Sequence, residues 1–201
     1  MKKIIIDKKR IFIFVAAFSV FIYTLAVIFS KEINNLDSIL IVRTNFATTF
    51  FRWLTKVGNW YTIIIILLLS LILKNKDYFK YMSLNLITIT LTNQALKFII
   101  QRPRPNFSQA ISVSGYSYPS GHAMISTAFY GFIFYLIYKS NLDNKYKILF
   151  GIFIIILIGL ICISRVYLGV HYLTDVVAGA SLAILYLSIY TYWLKKKNVK
   201  F

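Results

Sequence analysis

Acidic residues and cysteines are scarce in this chain of 201 residues. It contains 6 Asp and Glu and a single cysteine. Six carboxylates spread along a chain do not readily form the oxygen-rich cage that Ca²⁺ or Mg²⁺ requires. One cysteine excludes an internal disulfide, and the position of Cys162 within an apolar run indicates simple packing. The sequence therefore predicts no metal site.

Charge of either sign is also scarce. Only 14% of the residues are charged and 59% are hydrophobic, whereas an ordinary soluble domain is about 25% charged. The mean hydropathy of +0.70 indicates a membrane protein. The 23 Lys and Arg residues give a net charge of +17. They form short clusters between apolar runs, which is typical of membrane topology and contact with anionic lipid rather than of nucleic-acid binding.

The apolar runs predict an all-α, polytopic fold that forms one membrane-embedded domain over residues 1–201. A cleaved signal peptide is an alternative for the first run. Its length, and the lack of a small-x-small site after Phe29, favour an uncleaved anchor. Residues 31–57 predict one or two amphipathic helices on the outer membrane surface, ending at Gly58. Six transmembrane helices are predicted at about 11–30, 59–73, 81–100, 122–138, 148–163 and 172–194.

The distribution of basic residues predicts the topology. Six spans put both termini on one side, and that side collects 15 of the 23 basic residues. The positive-inside rule therefore places both termini in the cytoplasm. The segments 97–122 and 164–175 then both face outward. Two loops that are remote in sequence are thus expected to meet at one membrane face.

Three polar motifs lie in these two segments. Cationic side chains near a membrane are costly and are usually functional. A glycine at a predicted helix start lets free backbone N–H groups approach an anion closely. The motifs predict a phosphate-binding cradle formed by Lys97, Arg104, Ser120, Gly121 and Arg165.

Two histidines complete the predicted site. If residues 164–175 begin a helix, His171 and Asp175 lie one turn apart on one face. The carboxylate would orient the imidazole, which makes His171 the better nucleophile, through a phospho-histidine intermediate. His122 has no evident carboxylate partner in the sequence and is the better general acid for the leaving oxygen, and later the base for water.

Each of these residues also has a simpler interpretation when taken alone. Lys97 at a helix end is most often an interfacial anchor, and Arg102 is interpreted as such an anchor even in the full picture. Ser120 alone is most simply a helix cap. If these residues had no common function, six unrelated polar residues would have to lie on the same face of the bundle by coincidence.

The three motifs resemble the signature of the type 2 phosphatidic acid phosphatase superfamily, written K-x6-R-P, P-S-G-H and S-R-x5-H-x3-D. Every spacing is kept. The resemblance implies a metal-independent lipid phosphatase with no cofactor and an extracytoplasmic active site. It also implies the same catalytic and phosphate-binding roles for the residues named above. The matching positions are Lys97 with Arg104-Pro105, Pro119 to His122, and Ser164-Arg165 with His171 and Asp175.

The sequence leaves the substrate open. Similar small bacterial members act on phosphatidylglycerol phosphate, undecaprenyl pyrophosphate or phosphatidic acid. A lipid phosphotransferase, in which another acceptor replaces water, is an alternative of the same chemistry. A transporter or binding protein for anionic lipids is a weaker alternative, because its site would lie near the midplane between broken helices. The oligomeric state is not predicted.

Overall fold

The computed structural model describes residues 8–30, 43–73, 76–106, 109–199 and 201. Within these ranges every regular element is helical, which confirms the predicted all-α class. The α-helices are α1 (Lys8–Phe29), α2 (Asn45–Leu54), α3 (Trp60–Leu69), α4 (Asp77–Ile100), α5 (Gly121–Lys139), α6 (Asn144–Tyr167) and α7 (Leu173–Lys196). Two 3-10 turns, Thr55–Gly58 and Ser70–Ile72, extend α2 and α3.

Helices α5 and α7 form the centre of the bundle. They pack against each other, with α1 on the outer side of α7 and with α4 and α6 on α5. Small residues allow the closest approach, since a Cβ on Gly179 of α7 would lie 2.7 Å from the Ser120 carbonyl oxygen. The outer faces of α1 and α6 keep large apolar side chains exposed, as lipid-facing helices do.

Among the residues that the structure describes, four helices are long and apolar enough to cross a membrane, namely α1, α5, α6 and α7. The segments Asn45–Gly58 and Trp60–Ile72 add a fifth if they count as one span, bent by 48°. Helix α4 has the necessary length, with 24 residues, but it falls outside the set. Its interior carries polar side chains, among which Asn85 and Asn93 are buried. The chain is therefore a helical membrane protein, with four of the six expected spans found directly.

The predicted amphipathic segment 31–57 is described from residue 43 onward, and residues 31–42 lie outside the described part. Helix α2 begins after Thr44, whose hydroxyl accepts from the Ala47 N–H at 3.2 Å. None of its side chains is buried, and Phe46 and Trp53 are strongly exposed. Gly58 is the last residue of the 3-10 turn Thr55–Gly58.

The helix ends bring the polar loops together. Helix α4 ends and α5 begins at the end of the bundle where α6 ends and α7 begins, and backbone hydrogen bonds join the connecting loops. Ala110 N donates to Leu168 O at 3.0 Å, and Ser120 N donates to Asp175 O at 3.0 Å. The expected meeting of the two remote loops is therefore observed.

Candidate active site

His171 lies in the loop before α7, with its two ring nitrogens in different surroundings. Its Nδ1 is 3.5 Å from Asp175 Oδ2, and its Nε2 is 3.2 Å from Arg104 Nη1. Because an arginine only donates, Nε2 must be the unprotonated nitrogen and Nδ1 carries the hydrogen. Within the described residues Nδ1 makes no hydrogen bond, and Asp175 Oδ2 is its nearby carboxylate oxygen. Burial lowers the pKa of His171 to about 4, although Asp175 opposes this shift. Burial therefore favours the neutral imidazole.

The helical arrangement that was expected for His171 and Asp175 is only half correct. Helix α7 begins at Leu173, so His171 precedes it and only Asp175 lies in its first turn. An aspartate is favoured in the first turn of a helix because its carboxylate can accept from the free N–H groups there. Asp175 Oδ2 accepts from Tyr172 N at 2.9 Å.

The Asp175 carboxylate is fully buried and has further partners that the sequence did not reveal. Arg102 Nη1 donates to Oδ1 at 2.6 Å, and the Ser117 hydroxyl donates to Oδ2. The guanidinium of Arg102 also stacks 4.0 Å above the Tyr172 ring centre. The interpretation of Arg102 as an interfacial anchor is wrong, because its guanidinium is largely buried in an ion pair with Asp175 and also donates to the Thr174 hydroxyl.

His122 lies in the first turn of α5, where its partner is an amide. Its Nε2 is 2.6 Å from Asn59 Oδ1, and Asn59 Nδ2 donates to the Tyr61 hydroxyl at 2.9 Å. Asn59 is 63 positions away in sequence and stands between the 3-10 turn Thr55–Gly58 and α3. Its only sequence signal is a polar residue at the start of an apolar run, which is equally typical of a helix cap.

The predicted cations converge beside the two histidines. Lys97 Nζ turns inward and donates to Tyr116 O at 2.6 Å, so Lys97 is not a snorkelling anchor. Arg104 donates to Val170 O at 2.8 Å and Gly115 O at 2.9 Å, which ties the two loops together. Burial lowers the pKa of Arg104 below its usual value, while Asp175 raises it.

Arg165 is only 2% exposed, and its Nη1 donates to Thr55 Oγ1 at 2.7 Å. Within the described part of the chain, neither Arg165 Nε nor the Ser120 hydroxyl has a hydrogen-bond partner. Ser120 stands at the cap position of α5, but its side chain makes no capping bond. Two buried donors thus remain available for an anion.

Gly121 begins α5 where space is tight, because a Cβ there would lie 3.2 Å from Asn93 Oδ1. Ser164 of the third motif donates to Ile161 O at 2.6 Å within α6, which is a structural role. Among the described residues, no three His, Cys, Asp or Glu side chains group closely enough to hold a metal ion.

A cavity of about 1190 Å³ opens in front of these groups. One end is lined by Lys97, Arg104, His122, Arg165 and His171. Helices α3 and α4 supply an apolar wall, formed by Ile64, Leu86, Ile87, Leu91 and Phe98. None of the described lining residues is acidic. Asp175 and Ser120 lie behind the lining and not in it.

The arrangement suits an anionic group attached to an apolar chain, and the comparison with known proteins agrees. Residues 78–199 match the profile of the PAP2 superfamily, which is more than half of the chain. The chain belongs to the PAP2 superfamily. The matched range contains all three motifs, whereas Thr55 and Asn59 lie outside it.

Two curated proteins resemble parts of the chain. Phosphatidylglycerophosphatase B of Bacillus subtilis is 41% identical over 99 residues, which cover 49% of this chain and 49% of that protein. Dolichyldiphosphatase of Saccharomyces cerevisiae is 37% identical over 109 residues, covering 49% and 44%. The chain thus spans about half the length of the curated relatives that it matches.

A solved PAP2 structure resembles nearly the whole chain. The crystal structure of a transmembrane PAP2 type phosphatidylglycerolphosphate phosphatase from Bacillus subtilis superposes with a TM-score of 0.79 and 28% identity. The superposition covers 90% of this chain and 96% of that one. The PAP2 membrane fold therefore extends beyond the range that the sequence profile matches.

Proposed function

We propose that this protein is a metal-independent membrane lipid phosphatase that hydrolyses a lipid phosphate or pyrophosphate through a phospho-histidine intermediate. The observation that carries the proposal is the position of His171, whose Nε2 lies 3.2 Å from Arg104 Nη1 in a cationic cavity with an apolar wall. A cationic end with no acidic lining suits the phosphate, and the apolar wall suits the lipid chain.

The cations and the start of α5 bind the phosphate in this proposal. Lys97, Arg104 and Arg165 neutralise its oxygens, and the unpartnered Arg165 Nε becomes satisfied. The unpartnered Ser120 hydroxyl lies just behind the cavity lining and would donate to the phosphate from there. Gly121 lets the first N–H groups of α5 come close to the anion. Phosphoryl transfer depends mainly on such positioning and charge neutralisation.

The reaction then proceeds in two displacements at phosphorus. The lone pair of His171 Nε2 forms the P–N bond while the P–O bond to the lipid breaks. His122, doubly protonated beside the bound anionic phosphate, donates a proton to the leaving oxygen and becomes neutral. Water next attacks phosphorus and gives a proton to His122. The P–N bond breaks and its electron pair returns to Nε2, so both histidines recover their starting states.

Asp175 supports the nucleophile in this scheme. Its carboxylate is fixed by Arg102, Ser117 and Tyr172 N–H, so it holds one position opposite His171 Nδ1. The partial positive charge that develops on the ring during attack is stabilised by this nearby carboxylate.

The proposed topology is one domain with six spans, in which α4 and the segment Trp60–Ile72 are the two spans that hydropathy does not find on their own. Helix α4 packs on the central α5, which supports its membrane position. Both termini are cytoplasmic, and the active site faces the outer leaflet, where α2 lies on the membrane surface.

The proposed substrates are phosphatidylglycerol phosphate, undecaprenyl pyrophosphate and phosphatidic acid. The likeness to a phosphatidylglycerophosphatase and to a dolichyldiphosphatase supports a lipid phosphate and a polyprenyl pyrophosphate respectively.

Phosphate release by the detergent-solubilised protein, in chelator, tests the proposal. The panel contains the three lipids, with His171→Ala as the inactive control. We expect release by the wild type alone. Activity that is lost in chelator and restored by magnesium contradicts the metal-independent mechanism, and transfer to an added alcohol in place of release indicates a phosphotransferase.

A further inference from the structure

We infer that Asn59 is a positioning residue for His122. By accepting from Nε2–H of His122, Asn59 keeps one proton on that nitrogen, so His122 exchanges protons with the substrate at its Nδ1. The inference rests on the proposed function, in which His122 is the acid and base. It concerns a residue outside all three signature motifs and outside the matched range 78–199.

The orientation of the Asn59 amide carries the inference. Asn59 Nδ2 lies 2.9 Å from the Tyr61 hydroxyl and Asn59 Oδ1 lies 2.6 Å from His122 Nε2. An amide oxygen only accepts, so His122 must donate from Nε2. An imidazole that carries its hydrogen on Nε2 has its lone pair on Nδ1, which is then the nitrogen available to take and give a proton.

The position of Asn59 is fixed by close packing. A Cβ on the preceding Gly58 would lie 2.9 Å from Ser126 Oγ and 3.2 Å from His122 Cδ2. Only a glycine lets the chain pass this close to α5. In addition, Asn59 N donates to Lys56 O at 3.1 Å, so Asn59 caps the end of the 3-10 turn Thr55–Gly58. The same turn holds Arg165 through Thr55, so one short segment supports two groups of the site.

A neutral partner is well suited to a group that must both give and take a proton. Burial and the neighbouring cations Lys97, Arg104 and Arg165 disfavour a second proton on the His122 ring, so the ring can act as an acid only when a bound anionic phosphate offsets them. A carboxylate in place of Asn59 would favour the protonated ring throughout the cycle. An amide oxygen accepts from Nε2–H in both protonation states and fixes the ring without preferring either strongly.

Nitrogen NMR of the histidine rings tests the inference without any need for activity. The chain has only 2 histidines, so ¹⁵N-histidine labelling gives two imidazoles, which His171→Gln assigns. We expect neutral His122 in the Nε2–H form. Asn59→Leu, which has a similar shape but no acceptor, should abolish this preference, and Asn59→Asp should keep it. An Nδ1–H form in the wild type, or identical His122 spectra in wild type and Asn59→Leu, overturns the inference.

A double-mutant cycle on turnover separates positioning from direct substrate contact. We expect Asn59→Leu to lower kcat by about 10- to 100-fold, the range typical of lost orienting partners, with KM little changed. In a His122→Ala background the same substitution should change kcat less than twofold, because its target is gone. Equal losses in both backgrounds overturn the inference. Inactive wild type with the expected NMR result would instead refute only the proposed phosphatase function.

Discussion

The two histidines of the site are held by opposite physical means. His171 sits in a loop among charges, with Arg104 at one nitrogen and Asp175 near the other. His122 sits at a helix start with a neutral amide, Asn59, at its Nε2. The first ring exposes an unprotonated Nε2, whereas the second keeps its hydrogen on Nε2.

In the proposed mechanism this difference separates the tasks of the two rings. A nucleophile must keep one nitrogen unprotonated, and burial together with a cation beside Nε2 achieves this for His171. An acid that later acts as a base must change its protonation state within each turnover, and a neutral partner permits the change. The same side chain thus acquires two functions from two environments.

Removal of the nucleophile should have the largest effect. We expect His171→Ala to lower kcat on the order of 10⁶-fold, the scale on which the loss of a covalent nucleophile acts. The loss should apply to every substrate, including an aryl phosphate. Phosphate release and trapping of radiolabelled phospho-enzyme measure it. A variant that still forms phospho-enzyme would show that another residue is the nucleophile.

Removal of the general acid should have a smaller and substrate-dependent effect. We expect His122→Ala to lower kcat on the lipid by about 10²- to 10⁴-fold. Nitrophenyl phosphate has a leaving group that needs no proton, so its phospho-enzyme formation should change less than tenfold. Rapid-quench measurement of the first turnover checks this. Equal losses on both substrates would mean that the two rings do not divide the work as proposed.

The titration of His171 provides a third test. In His122→Ala protein this is the only imidazole, and NMR should place its midpoint near pH 4 because burial lowers the pKa of His171 to about 4. An ordinary histidine titrates near 6.5. The unfolded chain then binds the proton more readily between about pH 4 and 6.5, so acidification through this range should also lower stability. A midpoint near 6.5 would contradict the buried, neutral ring.

Many residues of the site could be predicted from the sequence, because they belong to short motifs that lie at the ends of predicted helices. The cradle residues Lys97, Arg104 and Arg165 and both histidines line one cavity. The all-α class follows equally directly from the apolar runs. Hydropathy underestimates α4, because its polar side chains face neighbouring helices or the cavity, for example Asn93 and Gln94.

The partners of these motifs were not predictable. Asn59 and Thr55 reach the site from a separate helix turn, and no local pattern distinguishes them from capping residues. Arg102 was misinterpreted because its position at the end of α4 is typical of an interfacial anchor. Gln101 has a left-handed conformation, with φ of 51°, which ends α4 and turns the following residue away from the helix axis. The ion pair between Arg102 and Asp175 depends on this change of chain direction, which the sequence does not indicate.

Loss of the ion pair between Arg102 and Asp175 should lower the free energy of unfolding more than loss of the hydrogen bond between Asn59 and His122. Arg102→Leu leaves the fully buried Asp175 without its cation, and we expect the free energy of unfolding to fall by about 3 kcal/mol. Asn59→Leu removes only a neutral hydrogen bond and should cost about 1 kcal/mol. The exposed Lys145→Met is the control and should change stability by less than about 0.5 kcal/mol. Denaturation in detergent measures all three variants.

A double variant shows whether the cost comes from the unpaired carboxylate. Arg102→Leu with Asp175→Asn should recover much of the lost stability, since the buried charge is then absent. An anchor at the membrane surface would behave differently, because its removal costs under about 1 kcal/mol and does not depend on Asp175. If Arg102→Leu proves as mild as Lys145→Met, the charged support of His171 is weaker than its geometry indicates, and the contrast between the two histidines rests on Arg104 alone.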